Sequence, residues 1–232
     1  MDTFIITCEH GGDRIPPPYR LLFRGKRPLL DSHRGYDPGS LIMVDALAGE
    51  FAAPPVASTV SRLLIDLNRS IGHPQLFSAV TRVLSAQIRA QIIEQQYRSY
   101  RIQVERLVTQ AVARGHHVIH ISSHSFVAEL DGKVRRTDVG LLHHPSRQGE
   151  ADLCAHWKES LAESAPDLRV RRNYPYAGKG EGLTSHLRVR FAPSDYVGIE
   201  LEVNHGITLT GGRRWAALRR KLIDSLRTTC TA

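Results

Sequence analysis

Three short apolar runs stop at, or carry, polar residues, and this pattern constrains the fold more than any other feature. FIITC at 4–8 runs into Glu9-His10-Gly11-Gly12-Asp13. VIHI at 118–121 runs into Ser122-Ser123-His124-Ser125. YVGIELEV at 196–203 carries Glu200 and Glu202 within it. Continuous apolar runs of this length read as strands buried on both faces, and polar groups at strand ends are where α/β sheets place their sites. Between the runs the period changes. After Asp37-Pro38, which reads as a cap followed by a first-turn proline, Leu41, Val44, Leu47, Ala48 and Phe51 recur at three and four. Residues 82–114 read as one long helix with a single break allowed, closed by Gly115.

Further strands are expected at 56–60, 63–67 and 139–142, and helices at about 149–163 and 212–227. Pro16-Pro17-Pro18 excludes regular helix locally, and the coil-rich stretch 167–195 reads as a flap over the sheet edge. The alternation of strand and helix predicts one α/β domain over 1–232. It would be a three-layer sandwich with a mixed, mostly parallel central sheet and helices on both faces.

Several classes are excluded. No apolar stretch approaches a membrane span, and Met1-Asp2-Thr3 lacks the basic start of a secretory signal. Cys8, Cys154 and Cys230 are odd in number and far apart, so a disulfide framework or cysteine zinc site is not expected. A reduced, cytoplasmic setting fits best. The formal charge of +8 comes mainly from scattered arginines rather than a basic run. A nucleic-acid partner is therefore not favoured, and an acidic small molecule accounts for some of the arginines equally well.

The strand ends hold the candidate chemistry. His10 and His124 with a carboxylate make the minimum set for a catalytic zinc site that keeps an open position, and a further glutamate can serve as base. Each residue also has an ordinary reading. His124 could be a hydrogen-bonded core histidine, Asp37 a helix cap, Asp13 a turn residue, and Asp66 a neutralising partner of Arg62 or Arg69. Glu200 and Glu202 share strand parity and so one face of the sheet.

The ordered series CEHGGDRIP (8–16), HRGYDPG (33–39), SRLLIDLNRS (61–70), SHSF (123–126), RRNYPYAG (171–178), GLT (182–184) and GIELEVN (198–204) resembles the N-formylglutamate amidohydrolase family over nearly the whole chain. That family is similar in fold to zinc carboxypeptidases and aspartoacylases, which are zinc-dependent exopeptidase-like enzymes. The resemblance implies Zn²⁺ or another divalent metal held by His10, His124 and an acid. The acid is either Asp13, three residues after His10, or Asp37 in HRGYDPG.

It further implies Glu202 as base toward metal-activated water and as proton shuttle. Arg69 would stabilise developing negative charge, and Arg62, Asn68, Arg69, Arg172 and Thr184 would contact substrate. The implied reaction is N-formyl-L-glutamate plus water to formate and L-glutamate. Alternatives are hydrolysis of another N-acylamino acid or short peptide with a free carboxylate, or non-catalytic binding of an acidic ligand or nucleic acid.

Overall fold

A computed structural model describes residues 1–231. In chain order the elements are β1 (Asp2–Cys8), a 3-10 turn (Pro17–Phe23), α1 (Arg27–Leu30), α2 (Ser40–Glu50), β2 (Pro55–Ala57) and α3 (Ala86–Ile92). A π-helical turn (Ile93–Arg98) leads into α4 (Ser99–Ala113) and β3 (His117–Phe126), followed by the small hairpin β4 (Glu129–Leu130) and β5 (Lys133–Val134). The chain ends with β6 (Val139–Leu142), α5 (Gln148–Ser164), β7 (Val170–Arg172), α6 (Leu183–Arg190), β8 (Tyr196–Asn204), α7 (His205–Thr208) and α8 (Gly212–Thr231).

The main sheet has the order β2-β1-β3-β8-β6-β7. The first four strands are mutually parallel, and β6 joins β8 antiparallel. Apolar side chains on alternate sides of the strands build two cores. Ile6, Ile121 and Leu201 pack with Leu47 of α2, Trp157 of α5 and Leu222 of α8. Ile5, Val118 and Tyr196 pack with Tyr100 and Val104 of α4 and with Leu187 of α6. Helices therefore cover both faces, which is the mixed three-layer sandwich the alternation predicts.

Three elements differ from expectation. The strand expected at 56–60 is shortened to β2 at Pro55–Ala57, with only an isolated bridge from Val60 to Arg14. Leu63–Leu67 is not a strand. Leu64 and Ile65 are buried, but the chain turns on itself through Leu64 N–H to Ser61 O (2.9 Å) and an Asx contact from Asn68 N–H to Asp66 Oδ1 (2.9 Å). An apolar run reports burial and does not distinguish a strand from a buried turn. In contrast, β3 does not stop at Ser122 and runs on to Phe126. Ser123 Oγ donates to Ser40 O (3.1 Å) and Ser125 Oγ to Pro38 O (2.9 Å), so the serines bind the head of α2 while the strand continues.

β6 is too short to cover all of β8. Below Glu200 the uncovered edge is met by side chains: Arg147 donates to Tyr196 O (3.1 Å), Gly198 N–H to Glu150 Oε1 (3.2 Å), and Arg188 to Gly198 O (2.7 Å). Arg188 and Glu150 are both buried and pair at 2.9 Å. Arg188 also donates to Gly178 O (2.7 Å), which ties the 173–182 segment to the sheet.

His120 lies in the sheet beneath the polar strand ends, fully buried between Thr7 Oγ1 (2.9 Å) and the Tyr196 hydroxyl (2.6 Å). Burial pushes its imidazolium down to about 4. Below the unfolded value the unfolded chain takes up a proton that the folded chain refuses, so stability falls as pH drops towards the folded value. Between pH 7 and pH 5 this group alone should cost about 2 kcal/mol. Urea midpoints should show the loss in the wild type, and His120→Gln should reduce it. An unchanged difference between the two pH values in the variant would contradict the assignment.

Candidate metal centre and active site

The site lies at the carboxyl ends of β1, β3 and β8. Parallel register sets Glu202 directly beside His124, and Glu200 beside Ser122. His10 follows β1, where Gly11 passes close to the chain after β2: its N–H donates to Ser58 O (2.9 Å), and a Cβ at Gly11 would lie 2.9 Å from that same oxygen. Asp37 comes from the loop before α2. Its backbone N–H donates to His10 O (2.9 Å), so the loop is pinned to the histidine it serves. The cap reading of Asp37 fails, since the N-cap of α2 is Gly39, at φ +85° and with no side-chain cap.

His10 Nδ1 lies 3.3 Å and His124 Nδ1 2.9 Å from the same oxygen, Asp37 Oδ2. One ligand atom from each of these three buried residues can be chosen so that all lie within 4.8 Å of one another. The outer ring nitrogens are also occupied. His10 Nε2 meets Asp66 Oδ1 at 2.7 Å, and His124 Nε2 meets Glu9 Oε2 at 2.9 Å. With a cation bound, protons on the two Nε2 atoms alone would leave both Nδ1 lone pairs directed at the cluster, which is the tautomer a metal needs.

Glu9 is fully buried and also accepts from Ser122 Oγ (2.6 Å) and the Tyr100 hydroxyl (2.7 Å). Sequence reading places Glu9 only among the strand-end polar residues and treats Asp66 as a neutralising partner. Their adjacency to HGG and to Asn68-Arg69 was the available signal.

The electrostatics favour a cation. Glu9, Asp37, Asp66, Glu200 and Glu202 converge against Arg62 and Arg69. Burial works against ionisation of Asp37, but His10, His124 and Arg62 outweigh it and hold the carboxyl below the usual range. Burial also opposes charge on His124, yet Asp37 and Glu9 hold its imidazolium well above the ordinary value. Glu202 behaves oppositely. Burial, reinforced by Asp37 and Glu200 and opposed by His124 and Arg62, pushes its carboxyl up to about 8. Its Oε2 is buried and, among the described residues, has no hydrogen-bond partner. An excess of carboxylates and an unpartnered carboxylate oxygen beside two oriented imidazoles fit a divalent cation.

The other expected residues divide. Arg62, Asn68 and Arg69 line a cavity of about 230 Å³ with the three clustered residues, Glu200 and Glu202. Arg62 is held by Asp66 Oδ2 (2.8 Å) and Asp37 Oδ1 (3.3 Å), whereas Arg69 reaches Asp66 only at 3.9 Å. Tyr176, Ala177 and Gly180 form the opposite wall, so the flap at 167–195 contributes to the site, although it also contains β7 and α6.

Three expected residues stand apart from the cluster or the cavity lining. Asp13 stands outside the cluster and pairs with Arg27 at 2.6 Å. Arg172 is exposed on β7 and does not line the cavity. Thr184 is buried and donates to Glu200 Oε1 (2.7 Å), so it holds an acid instead of lining the cavity.

The model of the N-formylglutamate amidohydrolase family matches residues 2–208. The chain belongs to this family. It is similar to the gene product Atu2144 of Agrobacterium tumefaciens, with 26% identity and a TM-score of 0.85 over 98% of this chain and 90% of that one. It also shares its fold with an N-formylglutamate amidohydrolase from Ralstonia eutropha JMP134. There the identity is 18% and the TM-score 0.68 over 97% and 92% of the two chains. No curated protein sequence matches.

Membership, together with the His10-Asp37-His124 cluster, makes the protein a metal-dependent amidohydrolase with a reaction of the N-formylglutamate amidohydrolase type. Among the described residues no helix is long and apolar enough to cross a membrane.

In this family setting the hydrogen bonds behind the ligands should matter measurably. Glu9→Gln should weaken metal affinity by about 10- to 100-fold while leaving every ligand in place. Competition against a chromophoric chelator measures this. Wild-type affinity in the variant would show that Glu9 does not tune the imidazole.

Proposed function

We propose that the chain works as a single N-formylglutamate amidohydrolase-like domain, converting N-formyl-L-glutamate and water to formate and L-glutamate. His10, Asp37 and His124 would hold Zn²⁺ or another divalent cation. When bound, the cation supplies Lewis-acid polarisation of the scissile carbonyl and acidifies water. Glu202 takes the proton from the attacking water at its free carboxylate oxygen and delivers it to the departing amine nitrogen. Asn68 and Arg69 hold a substrate carboxylate. Arg62, fixed between Asp37 and Asp66, offsets part of the carboxylate charge on the wall that a dianionic substrate approaches.

The observation that carries this reading is the unpartnered Glu202 Oε2 in the cavity that also contains the His10-Asp37-His124 cluster and Arg69. The test is formate release from a panel of N-formyl amino acids, with and without chelator. Chelator-sensitive release that is fastest with the glutamate derivative is expected. Release that ignores chelator, or that prefers uncharged side chains, would contradict the proposal.

One observation favours a wider acyl group. A chamber of about 580 Å³ opens beside the site, shares Asp37, Arg62, Arg69 and Tyr176 with it, and continues to Arg34, Phe77 and Arg82. A formyl group does not need that space, whereas a longer acyl chain or a short peptide fits it. Assaying N-acetyl- and N-succinyl-glutamate alongside, with released L-glutamate as the common readout, separates the two readings.

A further inference from the structure

Arg101 has no part in the chemistry described above, yet all three nitrogens of its guanidinium are engaged behind the site. It lies on α4, one turn after Tyr97 of the π-helical turn, and its residue is 6% exposed. Its three nitrogens donate to three backbone carbonyls: Nε to Leu67 O (3.0 Å), Nη2 to Arg69 O (3.2 Å) and Nη1 to Gly182 O (3.3 Å). Among the described residues no carboxylate forms an ion pair with it. Glu105, one turn along α4, is engaged by His186 and Arg190. A buried cation without a counter-ion is costly, so the carbonyls must be held in place to solvate it.

Two of these carbonyls bracket Asn68, and the third belongs to the residue before α6. The same junction is tied from its other side, because Asn68 Oδ1 accepts from Leu183 N–H at 2.7 Å. Tyr97 adds a second donor to Arg69 O, at 2.7 Å. The backbone of Asn68 and Arg69 is thus fixed from behind by a planar group with donors in three directions, which a lysine ammonium does not reproduce.

We infer that Arg101 is a positioning residue. It sets the Asn68–Arg69 backbone so that these two side chains meet a substrate carboxylate, and it thereby controls substrate affinity rather than the chemical step. This rests on the reading of Asn68 and Arg69 as the carboxylate clamp.

The holoenzyme with N-formyl-L-glutamate tests it. Arg101→Lys and Arg101→Met should each raise KM about 10- to 100-fold, leave kcat within about fivefold and leave bound metal unchanged. Tyr97→Phe, a gentler change, should raise KM severalfold. In an Arg69→Met background Arg101→Met should add little further, because the clamp is already gone. Guanidinium ion should lower the KM of Arg101→Ala, since a cavity of about 290 Å³ lined by Tyr97, Arg101 and Ile102 gives it access.

Equal losses of kcat and metal in the Arg101 variants would overturn the inference, as would an undiminished effect in the Arg69→Met background. If the Arg101 variants do not fold, an unchanged KM in Tyr97→Phe overturns it. Wild-type KM in Arg69→Met alone would instead refute the clamp reading on which it rests.

Discussion

Glu202→Gln should lower kcat by about a thousandfold, roughly 4 kcal/mol of barrier, with bound metal unchanged and KM within a few-fold of wild type. The size follows from what the carboxylate lacks. Oε2 is buried without a partner, so glutamine breaks no existing hydrogen bond there and removes mainly the capacity to take a proton. Glu200 is the internal control. Its Oε1 already accepts from Thr184, and Glu200→Gln should cost far less than Glu202→Gln. Steady-state kinetics with metal analysis on the same preparations decides the point. A Glu202→Gln enzyme within tenfold of wild type, or a larger loss at Glu200, would assign the base elsewhere.

Asp37→Ala should abolish stoichiometric metal binding and reduce turnover by at least about 10⁴-fold, since polarisation worth several kcal/mol is lost with the cation. Asp37 contributes the oxygen that lies nearest both Nδ1 atoms, and alanine leaves two imidazoles facing the Arg62 guanidinium. Asp13→Ala should leave metal content and kcat within about twofold, because its partner Arg27 is mostly exposed and such pairs contribute little. Metal analysis of both variants distinguishes the two acids directly. Metal retained in Asp37→Ala and lost in Asp13→Ala would reverse the assignment.

How much of this was legible in the sequence depends on whether local pattern or tertiary approach sets the feature. The strand and helix alternation is local, so the layers and most elements follow from it. The long helix was legible, including its single irregularity, the π-helical turn at Ile93–Arg98. The turn at Leu63–Leu67 was not, because an apolar run looks the same in a buried turn as in a strand.

Within the site, His10 and His124 could be read from strand ends and the Glu200–Glu202 pair from parity, while the choice of Glu202 rested on the family resemblance. The choice between Asp13 and Asp37 could not be read this way. It depends on a loop 27 residues from His10 folding back through Asp37 N–H to His10 O. Glu9 and Asp66 were hidden for the same reason, since an acid's role is set by the ring nitrogen it meets.

The uncovered edge of β8 has a consequence for behaviour at high concentration. A strand with free backbone groups is a template on which another chain can add a strand and begin to aggregate. Here Arg147, Glu150 and Arg188 occupy those groups, so β8 offers no such template. The outer strands are guarded by other means. β2 has three residues and is preceded by Pro54 and begun by Pro55, and β7 has three residues and ends in Arg171 and Arg172. Arg172 thus acts at the rim of the sheet, where a charged side chain discourages the approach of a second copy.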